Sequence, residues 1–178
     1  MNLLQRLDAG IALDDDERML LDSVQQLTRE AIAPRAEHHD RTGEFPTQNL
    51  RDINRLGLNA MFVPAEYGGA PLSYLCYLAC VREISKACAS TGIVWDTNYH
   101  AMKPLIDWGT EEQKQRLLPR IAEGGLGALA ITEPGAGSDA TGMRTTFREE
   151  NGQIVIDGGK SFITNGDVAD LYLSLIHI

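Results

Sequence analysis

Positive charge is what this sequence lacks. Across 178 residues, 16 Lys and Arg stand against 25 Asp and Glu, leaving a net charge of -9. The basic side chains are scattered among acids, so the footprint of a nucleic-acid-binding surface is missing. Any phosphate bound here must be held by local geometry. Long apolar runs are missing too: the longest, YLCYLACV, is far too short to span a bilayer. The N-terminal MNLLQRLDAGIALDDDE carries one Arg and then an acidic run, which fits neither a secretory signal nor an Arg-rich transit peptide. These absences imply a cytoplasmic protein with no nucleic-acid and no membrane partner.

Cysteine is scarce. Cys76, Cys80 and Cys88 fall in one helical pattern at spacings of four and eight, without a fourth thiol or a His at finger-like spacing. They read as small buried thiols, and no metal site is expected. His38, His39 and His177 also lack metal-ligand spacing, and His100 reads as a packed or surface residue.

At 43% hydrophobic, the chain has enough apolar matter for one sizeable core or two small ones. The first two thirds read as helix. Asp14 to Glu17 form a cap before Leu20, Val24, Leu27 and Ala31, and Pro34 should bend or end that helix. A short helix opens at Pro46, carries Leu50, Ile53 and Leu56, and stops at Gly57, while MFVPAEYGGAP reads as a loop. Ser73 caps a third helix whose first half, YLCYLACV, is apolar nearly all round and so expected to be buried on most sides. A fourth runs from about Thr91 to Asp107. Thr110 to Gln113 make a capping box for a fifth, which ends at Gly124 and Gly125.

The pattern then changes. GALAITE is a short β-prone run, and TTFREENGQIVIDGGKSFITNG holds three strand-like runs separated by the turns Asn151-Gly152 and Asp157-Gly158-Gly159. ADLYLSLI would be a further strand. The expected fold is α+β, with a helical domain over residues 1–125 and an incomplete antiparallel β domain over residues 126–178.

Within ITEPGAGSDA, Gly135, Gly137 and Ala140 match the spacing G-x-G-x-x-G/A. A dinucleotide fingerprint also needs a helix opening at the third position, because the helix terminus holds the pyrophosphate. TGMRTTFREENG offers no apolar helical period, so that reading is rejected. A Walker loop fails because no Gly-Lys-Ser/Thr follows. What remains is either an ordinary turn or a glycine loop whose amides, with the hydroxyls of Thr132 and Ser138, cup an anion or a carbonyl. KSFITNG repeats the chemistry with Phe162, Ile163, Thr164 and Asn165. Two neighbouring segments of this kind could sandwich a flat heteroaromatic ring, or Phe162 could simply be a core residue of a strand.

AITEPGAGSDATGMRTT and GKSFITNGDVADLYL, with FVPAEYGG and WGTEEQKQRLLPRIAEG upstream, resemble the acyl-CoA dehydrogenases up to about Leu173. The resemblance implies a helical N-terminal domain, a middle β domain and a C-terminal helical bundle that is absent here. It implies FAD contacts from Leu129, Ala130, Ile131, Thr132, Gly137 and Ser138 on one side and from Phe162, Ile163 and Thr164 on the other. Ser138 would also touch the acyl-CoA substrate.

The implied reaction is α,β-dehydrogenation of an acyl-CoA thioester, with an electron-transfer flavoprotein as electron acceptor and a homo-oligomer, tetramer or dimer, as the assembly. Other chemistries of the same superfamily are an acyl-CoA oxidase and a reduced-flavin monooxygenase; a noncatalytic helical interaction module is the reading from another class. No catalytic residue is expected in this chain, since the family's base would lie beyond residue 178. Glu133 is then structural, and Glu66 and Glu83 are solvated or loop-structuring acids. Leu129 and Phe162 stand where family members often carry an aromatic and a Trp. SLIHI departs from the family's continuation and reads as the end of a truncated product, expected neither to retain stoichiometric FAD nor to oxidise acyl-CoA alone.

Overall fold

Helix α1 covers Leu3–Asp8 and α2 covers Asp15–Leu27 in a computed structural model that describes residues 3–8 and 13–177. Residues 1, 2, 9–12 and 178 of the two expected domains lie outside the described residues. The α2 cap forms as its sequence requires: Asp14 Oδ1 accepts the Glu17 amide at 2.9 Å. Glu17 is buried, and its Oε1 accepts the Ser73 amide at 2.7 Å, fastening the start of α2 to the residue before Tyr74.

Pro34 does not end the helical path. The chain passes through a π turn, Thr28–Ile32, into α3, Ala33–Thr42, with Pro34 in its first turn. The Ala33 amide bonds the Thr28 carbonyl, one residue wider than in an α-helix, and this offset admits a residue with no amide and a ring that would otherwise strike the preceding turn. The buried stripe is Glu17, Leu21, Val24, Thr28 and Ile32, while Leu20 and Leu27 pack at its margin.

Helix α4, Thr47–Arg55, is followed by Gly57 at φ 72°. MFVPAEYGGAP is not a plain loop, because two 3-10 turns, Leu58–Phe62 and Ala65–Tyr67, occupy much of it. Helix α5, Tyr74–Ala87, starts at Ser73, whose side chain accepts the Cys76 amide, and α6, Ala89–Trp108, follows at once. Cys88 therefore lies between two helices and not within one, and its sulfur accepts from the Thr91 amide and hydroxyl. All three thiols are free and buried. Over YLCYLACV, helix α5 is enclosed on most sides: Cys76, Tyr77, Ala79 and Cys80 are buried and Leu75 and Val81 half-buried, while Tyr74 and Leu78, one turn apart, are 59% and 41% exposed. Helix α7, Glu111–Ala122, carries the Thr110 capping box.

The core gathers around Trp95, at 0% exposure, with Phe62, Tyr77 and Tyr99 at ring separations of 5.2 to 6.0 Å. Each such aliphatic or aromatic burial contributes about 1.5–3 kcal/mol. A polar chain crosses this core: Arg35 donates to Asp52 at 2.7 Å and to Asn49 at 2.9 Å, Asn49 to Thr91 at 2.9 Å, and Thr91 to the Cys88 sulfur at 3.1 Å. Because every member has a partner, the buried amide Asn49 is tolerated in an apolar interior.

Among the described residues, four short strands follow. β2, Thr146–Glu150, and β3, Gln153–Asp157, form an antiparallel hairpin through Asn151 and Gly152, both at positive φ (54° and 75°). β1, Gly127–Ala130, pairs in parallel with β4, Leu171–Ser174, from Gly127 opposite Leu171 to Ala130 opposite Ser174. The antiparallel expectation thus describes the hairpin and not this second pair. Its parallel register is set by Leu126 and Asp170. The Asp170 amide donates to the Leu126 carbonyl at 2.8 Å, and the Leu126 amide to the Asp170 carboxylate at 2.9 Å.

Candidate functional site

Strand β1 delivers Ile131 and Thr132 to a tight turn. The Glu133 amide donates to the Ala136 carbonyl at 3.0 Å and the Ala136 amide returns to the Glu133 carbonyl at 3.1 Å. Gly137 and Ser138 lie exposed beyond it, and only a three-residue 3-10 turn, Ala140–Gly142, follows. No helix springs from Gly137, so the phosphate-binding terminus of a dinucleotide fold is not built here.

Glu133 is 8% exposed and saturated with donors. Its carboxylate accepts from Lys160 Nζ at 2.8 Å, the Arg144 amide at 2.7 Å and the Thr145 amide at 3.0 Å. The bond from Lys160, then those from Thr145 and Arg144, hold its pKa down at about 2. A carboxylate with these partners is a poor proton acceptor and a good knot, tying the loop to the start of β2 and to Lys160. Glu83 is paired with Lys86 at 2.7 Å, Glu66 is exposed, and His100 lies half-exposed 3.7 Å from Asp96.

The second segment is not the third strand that its composition suggested. Phe162 and Asn165 have φ of 57° and 65°, and residues 164–168 form turns. Left-handed backbone interrupts a ladder. Asn165 takes that conformation because its buried side chain donates to the Gly127 carbonyl at 2.9 Å and the Val94 carbonyl at 3.2 Å. Phe162 is not a core residue either: it is 96% exposed.

Even without strand pairing, the two segments adjoin. The Ser161 amide donates to the Thr132 carbonyl at 2.9 Å, and Lys160 Nζ to the Ile131 carbonyl at 3.0 Å. Beside this junction lies a cleft of about 510 Å³ lined by Ala130, Lys160, Ile163, Gly166, Asp167, Tyr172 and Ser174. Of the residues singled out from the sequence, Ala130 and Ile163 line that cleft. Leu129, Ile131, Thr132 and Thr164 are half-buried around the junction, while Gly137, Ser138 and Phe162 are exposed. Lys160 and Tyr172 escaped the sequence reading. A lone charge or tyrosine flanking an apolar run carries no periodic signal, and only the fold turns it toward the loop.

The description "Acyl-CoA dehydrogenase, N-terminal domain" matches residues 14–125, and "Acyl-CoA dehydrogenase, middle domain" matches residues 128–177. The second match runs past Leu173 through most of SLIHI, where the sequence reading had ended the resemblance. In the structure Ser174 belongs to β4 and the His177 amide bonds the Thr145 carbonyl at 2.8 Å. An acyl-CoA dehydrogenase of Bacillus subtilis is 38% identical over 161 residues, covering 89% of this chain and 42% of that protein.

Among solved structures, a chain from a study of the electron transferring flavoprotein of Acidaminococcus fermentans superposes with a TM-score of 0.86 at 36% identity, over 91% of this chain and 43% of that one. A glutaryl-CoA dehydrogenase of Mycobacterium smegmatis in complex with FADH2 gives a TM-score of 0.85 at 29% identity, over 95% and 44% of the respective chains. The chain therefore spans somewhat under half the length of the relatives it matches. With both of its parts matched in order, the chain belongs to the acyl-CoA dehydrogenase family.

Proposed function

We propose that the protein to which this chain belongs dehydrogenates an acyl-CoA thioester between its α and β carbons with FAD as oxidant, and that this chain supplies two adjoining walls of the flavin site. The observation that carries the reading is the bond from the Ser161 amide to the Thr132 carbonyl, which seats the two hydroxyl-bearing segments side by side next to an open cleft. The cleft volume of about 510 Å³ suits a planar ring system, within the roughly 300–1,000 Å³ usual for ligand sites. An almost fully exposed Phe162 ring offers an apolar face, and added side-chain atoms at Gly135 or Gly137 would meet nothing within 4 Å, so a ligand can approach that backbone closely.

In this reading Thr132 and Thr164 hydrogen-bond the polar edge of the ring, Ala130, Ile131 and Ile163 contact its face, and Leu129, Gly137, Ser138 and Phe162 complete the contact. Ser138 also meets the thioester substrate. FAD, when bound, supplies the two-electron acceptor. The chain's own residues orient the ring and exclude water from it, and Glu133 takes no part in proton removal because its lone pairs are committed. The likeness to a chain from a study of an electron transferring flavoprotein supports such a flavoprotein as the partner that takes the electrons.

Titrating FAD into the 15N-labelled chain tests the reading. Millimolar FAD should shift the amides of residues 130–138 and 161–166 and leave α2 to α5 unmoved, whereas NAD should shift none. Shifts confined elsewhere, or a response to NAD at Gly137, would remove the assignment.

A further inference from the structure

Lys160 is drawn out of solvent, to 12% side-chain exposure, and spends its donors on the opposite wall. Nζ bonds the Ile131 carbonyl at 3.0 Å and Glu133 Oε1 at 2.8 Å. Ile131 precedes Thr132, and Lys160 precedes Ser161, whose amide holds the Thr132 carbonyl at 2.9 Å. Two consecutive residues of one segment are thus pinned to two consecutive residues of the other, without any strand ladder. Such pinning is needed here, because the positive φ at Phe162 and Asn165 denies the segment a strand's own register. Glu133 extends the anchor, since its remaining lone pairs hold the Arg144 and Thr145 amides at the start of β2. The same lysine lines the cleft beside Ala130 and Ile163.

We propose that Lys160 is a positioning residue of the cofactor cleft, its ammonium fixing the separation of the segment that bears Thr132 from the segment that bears Thr164. The inference rests on the flavin reading above. Lys160 acts through those two segments: its Nζ reaches the Ile131 carbonyl and its charge is matched by Glu133. A site of this kind depends on fixed spacing between its walls, and displacements of a few tenths of an ångström are enough to lose a hydrogen bond.

The test compares Lys160→Met, Lys160→Arg and the wild-type chain by amide hydrogen exchange and by FAD titration. In K160M the Ser161 amide should exchange at least tenfold faster, while amides of α5 and α6 stay within twofold of wild type. The FAD needed to shift the Thr132 and Thr164 amides should rise at least tenfold, and K160R, which keeps the charge but replaces a compact ammonium with a planar fork, should recover part of both effects. Should K160M not fold, Lys160→Gln, with donors but no charge, takes its place. Unchanged exchange at Ser161, or a loss of protection spread evenly over the helices, overturns the proposal, as does a K160M chain that responds to FAD like wild type. A wild-type chain indifferent to FAD overturns the flavin reading and its cofactor role instead, so the two failures appear in different measurements.

Discussion

The side-chain oxygen of Asn98 accepts the Gly127 amide at 2.8 Å, so helix α6 is bonded directly to the first residue of strand β1. Both partners are buried, and the bond sits where the helical part meets the strands. Replacing Asn98 with Ala strands that amide in an apolar interior and should cost about 1–3 kcal/mol of stability. Urea unfolding of Asn98→Ala reads it, and an unchanged midpoint would show that water reaches the amide.

Gly127 also packs closely against α6. A Cβ there would lie 2.7 Å from the Ala101 Cβ, closer than two carbons can stand. Gly127→Ala should therefore destabilise by about 1–3 kcal/mol through overpacking. The double variant Gly127→Ala with Ala101→Gly should recover part of the loss; strictly additive effects would contradict the contact.

Glu133 makes stability depend on acid. Its pKa falls from 4.5 to about 2 in the fold, so its contribution is complete above about pH 4.5 and is lost as pH falls from there toward 2. Urea midpoints taken from pH 6 to pH 2 should decline more steeply in the wild type than in Glu133→Gln. Parallel curves would mean that another group carries the acid sensitivity.

Phe162 separates stability from binding. Its ring is 96% exposed and its φ is 57°, so Phe162→Gly removes almost no burial and relieves a left-handed backbone. The gain is offset by the greater chain entropy of glycine when unfolded, and the unfolding free energy should stay within about 0.5 kcal/mol. The FAD-induced shifts at residues 161–166 should nonetheless weaken. A large loss of stability would place the ring inside the fold.

Much of the helical part could be read from local chemistry. Asp14, Ser73 and Thr110 each cap the helix that follows them, because a short polar side chain satisfying the first free amides is a decision made within four residues. The Asn151-Gly152 hairpin is equally local, since both positions need positive φ. The rejection of a dinucleotide fingerprint at Gly137 is local in the same way: the chain there makes only a three-residue 3-10 turn, and the missing helix is visible as a missing apolar period. Pro34 shows the limit of such reading. The residue does forbid an ordinary helical turn, but whether the chain stops or widens into a π turn depends on what Thr28 and Ile32 bury against.

What the sequence alone determined was therefore the capped starts of α2, α5 and α7, the Asn151-Gly152 turn, the change from helix to strand near Gly127, and the family pattern of the two threonine segments. What only the tertiary structure decided was their meeting: the parallel pairing of β1 with β4, the turn in place of a third strand at residues 160–168, and the bond between Lys160 and Glu133 across 27 residues. Caps and tight turns are closed by neighbours along the chain, whereas these contacts are chosen by burial. The buried Asn165 and the saturated Glu133 find their partners only once distant backbone has been brought beside them.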